Sequence, residues 1–297
     1  MDVFHQLLQQ IANGVTIGLI YSLIALGYTM VFGILGFINF AHGDVYMMGA
    51  YFGLILIQTG KFSFVSAFFI AMVLTAIMGV GIEYLVYRPV RRRGKKYEDA
   101  LLVAAIGVSI FLETLAQIIW GSETHPMNVS LGKTVYQIGG IYISQLQIIV
   151  AVTAILLMLL LNTFVNRTLI GTAMRATSQD ITATRLMGIS VNRVVAVTFL
   201  IGSALAAAAG ILVGIYFDAV YPLMGFQAGI KAFIAAVLGG IGSIPGAMVA
   251  GVIIGLAETL GAAYISSPFR DGFAFVILIL TLILLPRGLF RVGEQKK

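Results

Sequence analysis

The sequence contains no cysteine and very little charge. None of its 297 residues carries a thiol group, so disulfides and thiolate chemistry are excluded. Only 10% of the residues are charged, whereas soluble domains carry about 25%. There are three histidines and none is paired at metal-ligand spacing, so we expect no metal site. The first ten residues hold no lysine or arginine, and we expect no cleaved signal peptide.

Hydrophobic sequence is abundant instead. Hydrophobic residues make up 60% of the chain, and the mean hydropathy is +1.02. This composition predicts a polytopic membrane protein, with one transmembrane domain over residues 1–297 and no large soluble domain. The net charge of +6 does not indicate a nucleic-acid partner, because the basic residues cluster in short loops between apolar segments.

The apolar segments predict an all-α fold with about eight or nine transmembrane helices, depending on whether an interrupted segment is re-entrant. Segment 88–99 carries six basic residues, and the positive-inside rule places it in the cytoplasm. Counting helices from that loop puts the N-terminus outside and the C-terminus inside, which is periplasmic and cytoplasmic if the membrane is a bacterial inner membrane. The predicted spans cover residues 11–32, 64–87, 100–120, 145–165, 194–216 and 272–285, with interrupted segments beginning at residues 33 and 227.

The first interrupted segment, residues 33–51, is polar at membrane depth. It contains Asn39, His42 and Asp44 among several glycines. Irregular backbone in a bilayer is tolerated only where protein or a water-filled cavity satisfies it, and broken transporter helices tend to lie at the substrate path. We therefore predict that these three residues line a translocation pathway. Two structural roles remain as alternatives: His42 hydrogen-bonded to backbone, and Asp44 holding the break by accepting backbone N–H groups.

The second interrupted segment contains Gly239, Gly240 and Gly242, followed by Pro245 and Gly246. A pair of interrupted segments in opposite halves of a chain indicates a binding or translocation site between two structural repeats. We add the first three glycines to the predicted pathway. An internal repeat is a hypothesis, since the two halves share little sequence.

Two carboxylates, Glu113 and Glu258, lie singly in apolar segments. Each is expected to face the protein interior and to pair there, with contact to a transported substrate as the alternative. Lys231 is a candidate partner for either. Small residues at four-residue spacing in 14–22 and 202–214 predict close helix packing, within the chain or, for the second stripe, at a subunit interface.

The basic segment 166–193 is too long for a simple turn between spans. Apolar residues recur there at helical spacing, and Gly188 suits a helix C-terminus. One or two short helices along the cytoplasmic surface are therefore predicted. Arg175, Asp180 and Arg185 lie within them.

No motif indicates catalysis. The triplet Gly132–Thr134 resembles the end of a phosphate-binding loop, but Met127 occupies the place of its first glycine. Gly240–Gly242 lacks the third glycine of a dinucleotide fingerprint. Because no catalytic constellation is found, we expect this chain to have neither enzymatic activity nor a cofactor of its own.

Four stretches carry a family resemblance. Residues Gly27–Tyr51, Arg88–Arg91, Arg175–Ile189 and Lys231–Met248 closely resemble, in that order, the branched-chain amino acid ABC-transporter permeases of the LivH type. The resemblance implies a permease subunit of a bacterial inner membrane. It also implies three kinds of partner: a second homologous permease, two ATPase subunits that bind ATP and Mg, and a periplasmic substrate-binding protein. Segment 166–193 would then be the ATPase coupling loop, and its three polar residues named above, with Gly188, would belong to it.

Three functional hypotheses follow. The first is an ATP-driven importer of branched-chain or related hydrophobic amino acids that works by alternating access. The second keeps this architecture but carries urea or short-chain amides, which the polar groups of the first break would suit equally. The third is an ion-coupled secondary transporter, which would need several coupled carboxylates inside the membrane rather than the scattered single ones found.

Overall fold

A computed structural model describes residues 3–93, 98–129 and 134–290. The basic residues Lys95 and Lys96, the pair Gly132 and Lys133, and the C-terminal tail 291–297 lie outside the described residues. In chain order, the elements are α1 (Val3–Leu35), α2 (Ala41–Gln58), α3 (Phe64–Ile82), a π-helical turn (Glu83–Tyr87), α4 (Arg88–Arg92), α5 (Glu98–Trp120), β1 (Val135–Ile138), β2 (Ile141–Ser144), α6 (Gln145–Arg167), α7 (Leu169–Gln179), α8 (Ile181–Leu186), α9 (Val191–Tyr216), α10 (Met224–Gly239), α11 (Ile244–Tyr264) and α12 (Arg270–Leu284).

Within the described ranges, six helical segments are long and apolar enough to cross a membrane by length and composition. They belong to α1, α3 with its extension to Arg92, α5, α6, α9 and α11, and α10 is a shorter apolar helix. The architecture agrees with the predicted all-α polytopic class. The number of crossings and the internal repeat stay predictions.

The helix that begins at Phe64 does not end at Tyr87, where we predicted that the basic loop begins. It continues through the π-helical turn and α4 to Arg92. Glu83, which is wholly buried, holds this extension because Arg88 and Arg91 both reach its carboxylate, at 2.6 and 3.1 Å. The first basic residues of the predicted loop are therefore helical and ion-paired.

The centre of the bundle is formed by α1 against α11. Glycines remove the side chains that would keep the two backbones apart, as the stripe at residues 14–22 predicted. A Cβ at Gly18 would lie 2.6 Å from Val252 Cα and 2.9 Å from the oxygen of Gly251. Ser22 fastens the same contact by donating from Oγ to the carbonyl of Met248 at 2.7 Å.

The small-residue ladder of α9 also packs inside the chain. Gly210 lies against the backbone of Tyr46 in α2, and a Cβ at Gly214 would approach Met127 Cε at 2.6 Å. Internal packing and a subunit interface were the two roles considered for this ladder, and these contacts support internal packing. By contrast, α3, α5, α6 and α12 carry many exposed apolar side chains on the periphery, as helices that face lipid or another apolar subunit do.

A short β-hairpin stands at one end of the bundle, where we predicted only a loop. Strands β1 and β2 pair antiparallel across a turn whose glycines, Gly139 and Gly140, have φ of +58° and +85°, as a two-residue hairpin turn requires. The side chain of Gln9 in α1 exchanges two 2.8 Å hydrogen bonds with the backbone of Tyr142. This end is called the hairpin end. The opposite end, where Arg91 and Arg185 border one cavity, is called the basic end.

Candidate functional site

The first break separates α1 from α2 at the basic end. Gly36, with φ of +72°, ends α1 and takes a backbone conformation that suits glycine. Asn39 is buried within the break, and its Oδ1 accepts a 2.7 Å hydrogen bond from the hydroxyl of Tyr87 in the π-helical turn. Asn39 therefore ties the break to the neighbouring helix.

His42 lies in the first turn of α2 and is almost fully buried. Its ring meets Tyr28 edge-on, with 4.9 Å between the ring centroids. Gly27 makes room for the imidazole, since a Cβ there would collide with it. Among the described residues, His42 Nε2 has no hydrogen-bond partner. The ring thus fits a tight slot between helices, and its Nε2 packs against Gly27 without a hydrogen bond from the described residues.

Asp44 points away from His42 and meets other helices. Its Oδ2 accepts a short hydrogen bond from Ser109 of α5, while Oδ1 has no hydrogen-bond partner in the described part of the chain. Oδ1 lies beside Gly225 of α10, where a Cβ would come within 2.7 Å. Ser109 and Gly225 both line a cavity of about 340 Å³ that Glu113 also borders. No feature of the sequence had indicated Ser109.

The second break joins α10 to α11, also at the basic end. Gly240 and Gly242 have φ of +94° and +91°. The N–H of Gly242 donates to Thr29 Oγ1 at 3.3 Å, which brings this break against the last turns of α1. Gly239 must be small, because a Cβ there would collide with the backbone of Gly246.

Residues that follow α12 complete this second break. The N–H of Leu289 donates to the carbonyl of Leu238 at 2.8 Å, and the N–H of Phe290 donates to that of Gly239 at 3.1 Å. These carbonyls belong to the last turn of α10, where no N–H group of the helix itself is available to donate to them.

The predicted coupling segment is two capped helices. Thr168 caps α7 by accepting from the N–H of Gly171, and Asp180 caps α8 by accepting from two backbone N–H groups at 2.7 and 2.9 Å. Gly188, with φ of +79°, follows α8, as predicted for a helix C-terminus. Asp180 is thus accounted for as a helix cap.

One face of α7 holds the segment to the bundle, while other apolar side chains stay outside. Met174 is buried, and Arg175 donates to the carbonyl of Val165 at the end of α6. Leu186 and Met187, by contrast, are 84% and 80% exposed. Two adjacent apolar side chains are therefore exposed where α8 ends.

The predicted coupling segment borders the last turns of α1 and the second break. Arg175 and Ser178 of α7 line a small cavity of about 50 Å³ together with Gly33 of α1 and Gly242 of the second break. Arg185 and Gly188 instead border a separate cavity of about 490 Å³ with Arg91 and Arg92. The residues predicted for coupling therefore divide between two places, and among them Arg175 shares a cavity with one predicted pathway glycine, Gly242.

At the hairpin end, the isolated charges of the sequence pair with one another. Lys231 Nζ lies 3.0 Å from Glu258 Oε1 and 2.7 Å from Asp271 Oδ1. Glu258 is wholly buried and also accepts a 3.0 Å hydrogen bond from the hydroxyl of Tyr21. The predicted interior pairing of Glu258 is confirmed, with Lys231 as its partner. The sequence did not single out Tyr21, Arg270 or Asp271.

Comparisons with known proteins agree with one another. A family described as branched-chain amino acid transport system / permease component matches residues 10–285. The chain is 42% identical to the high-affinity branched-chain amino acid transport system permease protein LivH of Escherichia coli K12, over 100% of this chain and 99% of that protein. It is 41% identical to the corresponding protein BraD of Pseudomonas aeruginosa, with the same coverage.

A solved structure has a related fold. PsaBC from Streptococcus pneumoniae, in complex with Fab, superposes with a TM-score of 0.51 and covers 93% of this chain and 91% of its own. The sequence identity is 13%, so this likeness concerns the fold alone.

Proposed function

The chain belongs to the branched-chain amino acid transport permease family, LivH type, and on that basis we propose that it is one transmembrane subunit of an ATP-driven importer. In this proposal a second homologous permease completes the membrane passage, two ATPase subunits bind ATP and Mg, and a periplasmic protein delivers the substrate. The substrate is a branched-chain or related hydrophobic amino acid. The supporting observation is the 42% identity along the whole chain to a permease named for that transport.

The orientation proposed for this multi-pass inner-membrane protein follows from its basic end. Arg91, Arg92 and Arg185 gather there, and short loops rich in arginine and lysine face the cytoplasm. The hairpin end then faces the periplasm. Because α1 begins at the hairpin end, the N-terminus is periplasmic, and the C-terminus is cytoplasmic.

Coupling is assigned to α7, α8 and Gly188. Leu186 and Met187 would face water at the cytoplasmic surface unless a partner covered them, and an ATPase subunit is the partner that the family supplies. A shift of α7 would change the packing around Gly33 and Gly242, because Arg175 lines one cavity with both. We therefore assign alternating access to movement of the two breaks, driven through α7 by ATP in the partner subunits.

The pathway residues take different roles in this scheme. Asn39 keeps the first break in place through Tyr87, while Asp44 Oδ1 is a buried acceptor without a hydrogen-bond partner among the described residues and lies beside Gly225, which lines the cavity with Ser109. Gly239, Gly240 and Gly242 let the second break bend. His42 fills the slot between α1 and α9.

The test is uptake by the purified complex in proteoliposomes. Labelled leucine, urea and acetamide are offered with and without the binding protein, and with and without ATP on the side of the ATPase subunits. ATP-dependent leucine uptake that requires the binding protein is expected. Uptake of an amide but not of leucine would keep the importer and replace its substrate. Uptake by this chain alone without ATP would replace the importer with an ion-coupled or passive transporter.

A further inference from the structure

A cavity of about 440 Å³ opens at the hairpin end between α1, α9, α10 and the start of α12. This volume is within the range of small-molecule sites, about 300–1,000 Å³. One part of its wall is apolar and includes Ile17, Ile20 and Met224; another part is charged and includes Lys231 and Arg270. Ligand sites combine an apolar lining with a few convergent polar groups in the same way.

The charges at this cavity are balanced. Two cations, Lys231 and Arg270, stand with two carboxylates, Glu258 and Asp271, and their formal sum is zero. A ligand that carries a net charge would leave one of these four groups without compensation, which is costly in a site of low polarity. A ligand with one positive and one negative group would keep the balance.

Arg270 and Asp271, which both line the cavity, have bonding capacity left. Arg270 Nε lies 3.7 Å from Glu258 Oε2, beyond a direct hydrogen bond, and this buried nitrogen has no other hydrogen-bond partner among the described residues. The side chain of Asp271 is 62% exposed and has Lys231 on one side only. Lys231 and Tyr21 both donate to Glu258 Oε2, and Glu258 Oε1 lies 3.0 Å from Lys231 Nζ as an ion pair without a hydrogen bond. A cluster that served stability alone would not need a donor left over beside a cavity.

We propose that this cavity binds the zwitterion of an α-amino acid on its way through the permease. Arg270 holds the carboxylate, Asp271 holds the ammonium group, and Ile17, Ile20 and Met224 surround the aliphatic side chain. The assignment rests on the proposed function, because amino acid transport supplies the ligand. In the proposed orientation the site faces the periplasm, where the binding protein releases its amino acid.

The experiment uses the absence of cysteine from this chain. Ala228→Cys, on the cavity wall, and Ser122→Cys, exposed at the same end, are placed one at a time in the complex of both permeases and the ATPases. The binding protein is omitted, because it binds amino acids itself. Modification by a methanethiosulfonate reagent is followed on this chain with increasing L-leucine, with and without ATP. Val213→Cys, also on the wall, replaces Ala228→Cys if that variant does not assemble.

Leucine is expected to slow modification at the wall cysteine and not at Ser122→Cys. Two analogues test the charges: 4-methylpentanoate lacks the ammonium group, and isoamylamine lacks the carboxylate. Each should need about a tenfold higher concentration or more for equal protection, since one charged hydrogen bond is lost. Asp271→Asn and Arg270→Gln should weaken leucine protection about tenfold, whereas Glu123→Gln, an exposed carboxylate at the same end, should not.

Three results would overturn the site. The first is that leucine gives no protection with or without ATP. The second is that both analogues protect at the same concentrations as leucine. The third is that leucine protects Asp271→Asn as well as it protects the unchanged chain. The proposed function is judged separately by proteoliposome uptake with the binding protein. ATP-driven leucine uptake without protection would refute this cavity as the site and leave the importer intact. Uptake of amides alone would refute the amino acid substrate.

Discussion

Replacing Gly18 with alanine tests whether the α1–α11 contact sets the stability of the bundle. The new Cβ would lie 2.6 Å from Val252 Cα and 2.9 Å from the oxygen of Gly251. Ordinary carbon contacts begin at about 3.5 Å, so the helices must separate by about 1 Å. Both atoms belong to backbone, and no side-chain rotation can relieve the collision. Overpacking of this kind costs about 1–3 kcal/mol.

The measurement is thermal unfolding of the detergent-purified protein, read by the loss of its monodisperse peak. At about 2–4 °C per kcal/mol, Gly18→Ala should lower the midpoint by several degrees. Gly81→Ala is the matched control, because a Cβ at Gly81 in α3 meets nothing within 4 Å. Alanine is the better helix former by about 1 kcal/mol, so this control should be neutral or stabilising. Equal shifts in the two variants would refute the packing argument, and Val252→Ala should not rescue Gly18→Ala.

Three further substitutions test single contacts. Tyr87→Phe removes the donor to Asn39 and should cost about 1–3 kcal/mol, measured as a lower unfolding midpoint; an unchanged midpoint would show that Asn39 does not depend on this bond. Glu83→Gln leaves Arg88 and Arg91 without their carboxylate and should cost about 3 kcal/mol, whereas the exposed Glu123→Gln should cost little. Gly188→Ala forces a side chain into a left-handed conformation at about 1–2 kcal/mol and should reduce ATP-driven uptake with membrane insertion intact. Gly60→Ala carries similar strain, with φ of +65° and open space around it, but lies at the hairpin end; equal loss of uptake in both would contradict the coupling role.

The helices and both breaks could be predicted because their signals are local. Long apolar runs specify membrane helices, and glycines where helices stop specify irregular backbone. Gly36, Gly240 and Gly242 all have positive φ, as residues at such breaks often do. The coupling helices were predictable for the same reason, since the apolar spacing and Gly188 lie in one short segment.

The β-hairpin and the extension of α3 depend on distant partners. Two four-residue strands have marginal stability alone, and the backbone of the second strand is paired by Gln9, 133 residues away. The extension to Arg92 includes a π-helical turn whose buried Glu83 is paired with two arginines. A stretch rich in arginine is typical of a loop between membrane helices. The helical extension could be predicted only with the knowledge that the buried Glu83 carboxylate lies beside these arginines.

The candidate site was predicted as single residues rather than as contacts. Asn39 and Asp44 were identified by their polarity at membrane depth. Their partners, Tyr87 and Ser109, lie on helices whose neighbours cannot be inferred from one sequence, at separations of 48 and 65 residues. Glu113 and Glu258 were both expected to pair in the interior, with Lys231 as a candidate partner for either. Glu258 does pair with Lys231, whereas Glu113 accepts an exposed 3.3 Å hydrogen bond from Gln117.

The backbone bonds from Leu289 and Phe290 to the end of α10 impose an order on biosynthesis. When α10 leaves the ribosome, the carbonyls of Leu238 and Gly239 have no partner, and an unsatisfied carbonyl in a bilayer costs several kcal/mol. Their donors are among the last described residues to be made. Water or another protein must therefore satisfy the end of α10 until Leu289 and Phe290 have been made. A chain truncated between α12 and Leu289 would contain every helix from α1 to α12 and still lack the donors for the carbonyls at the end of α10.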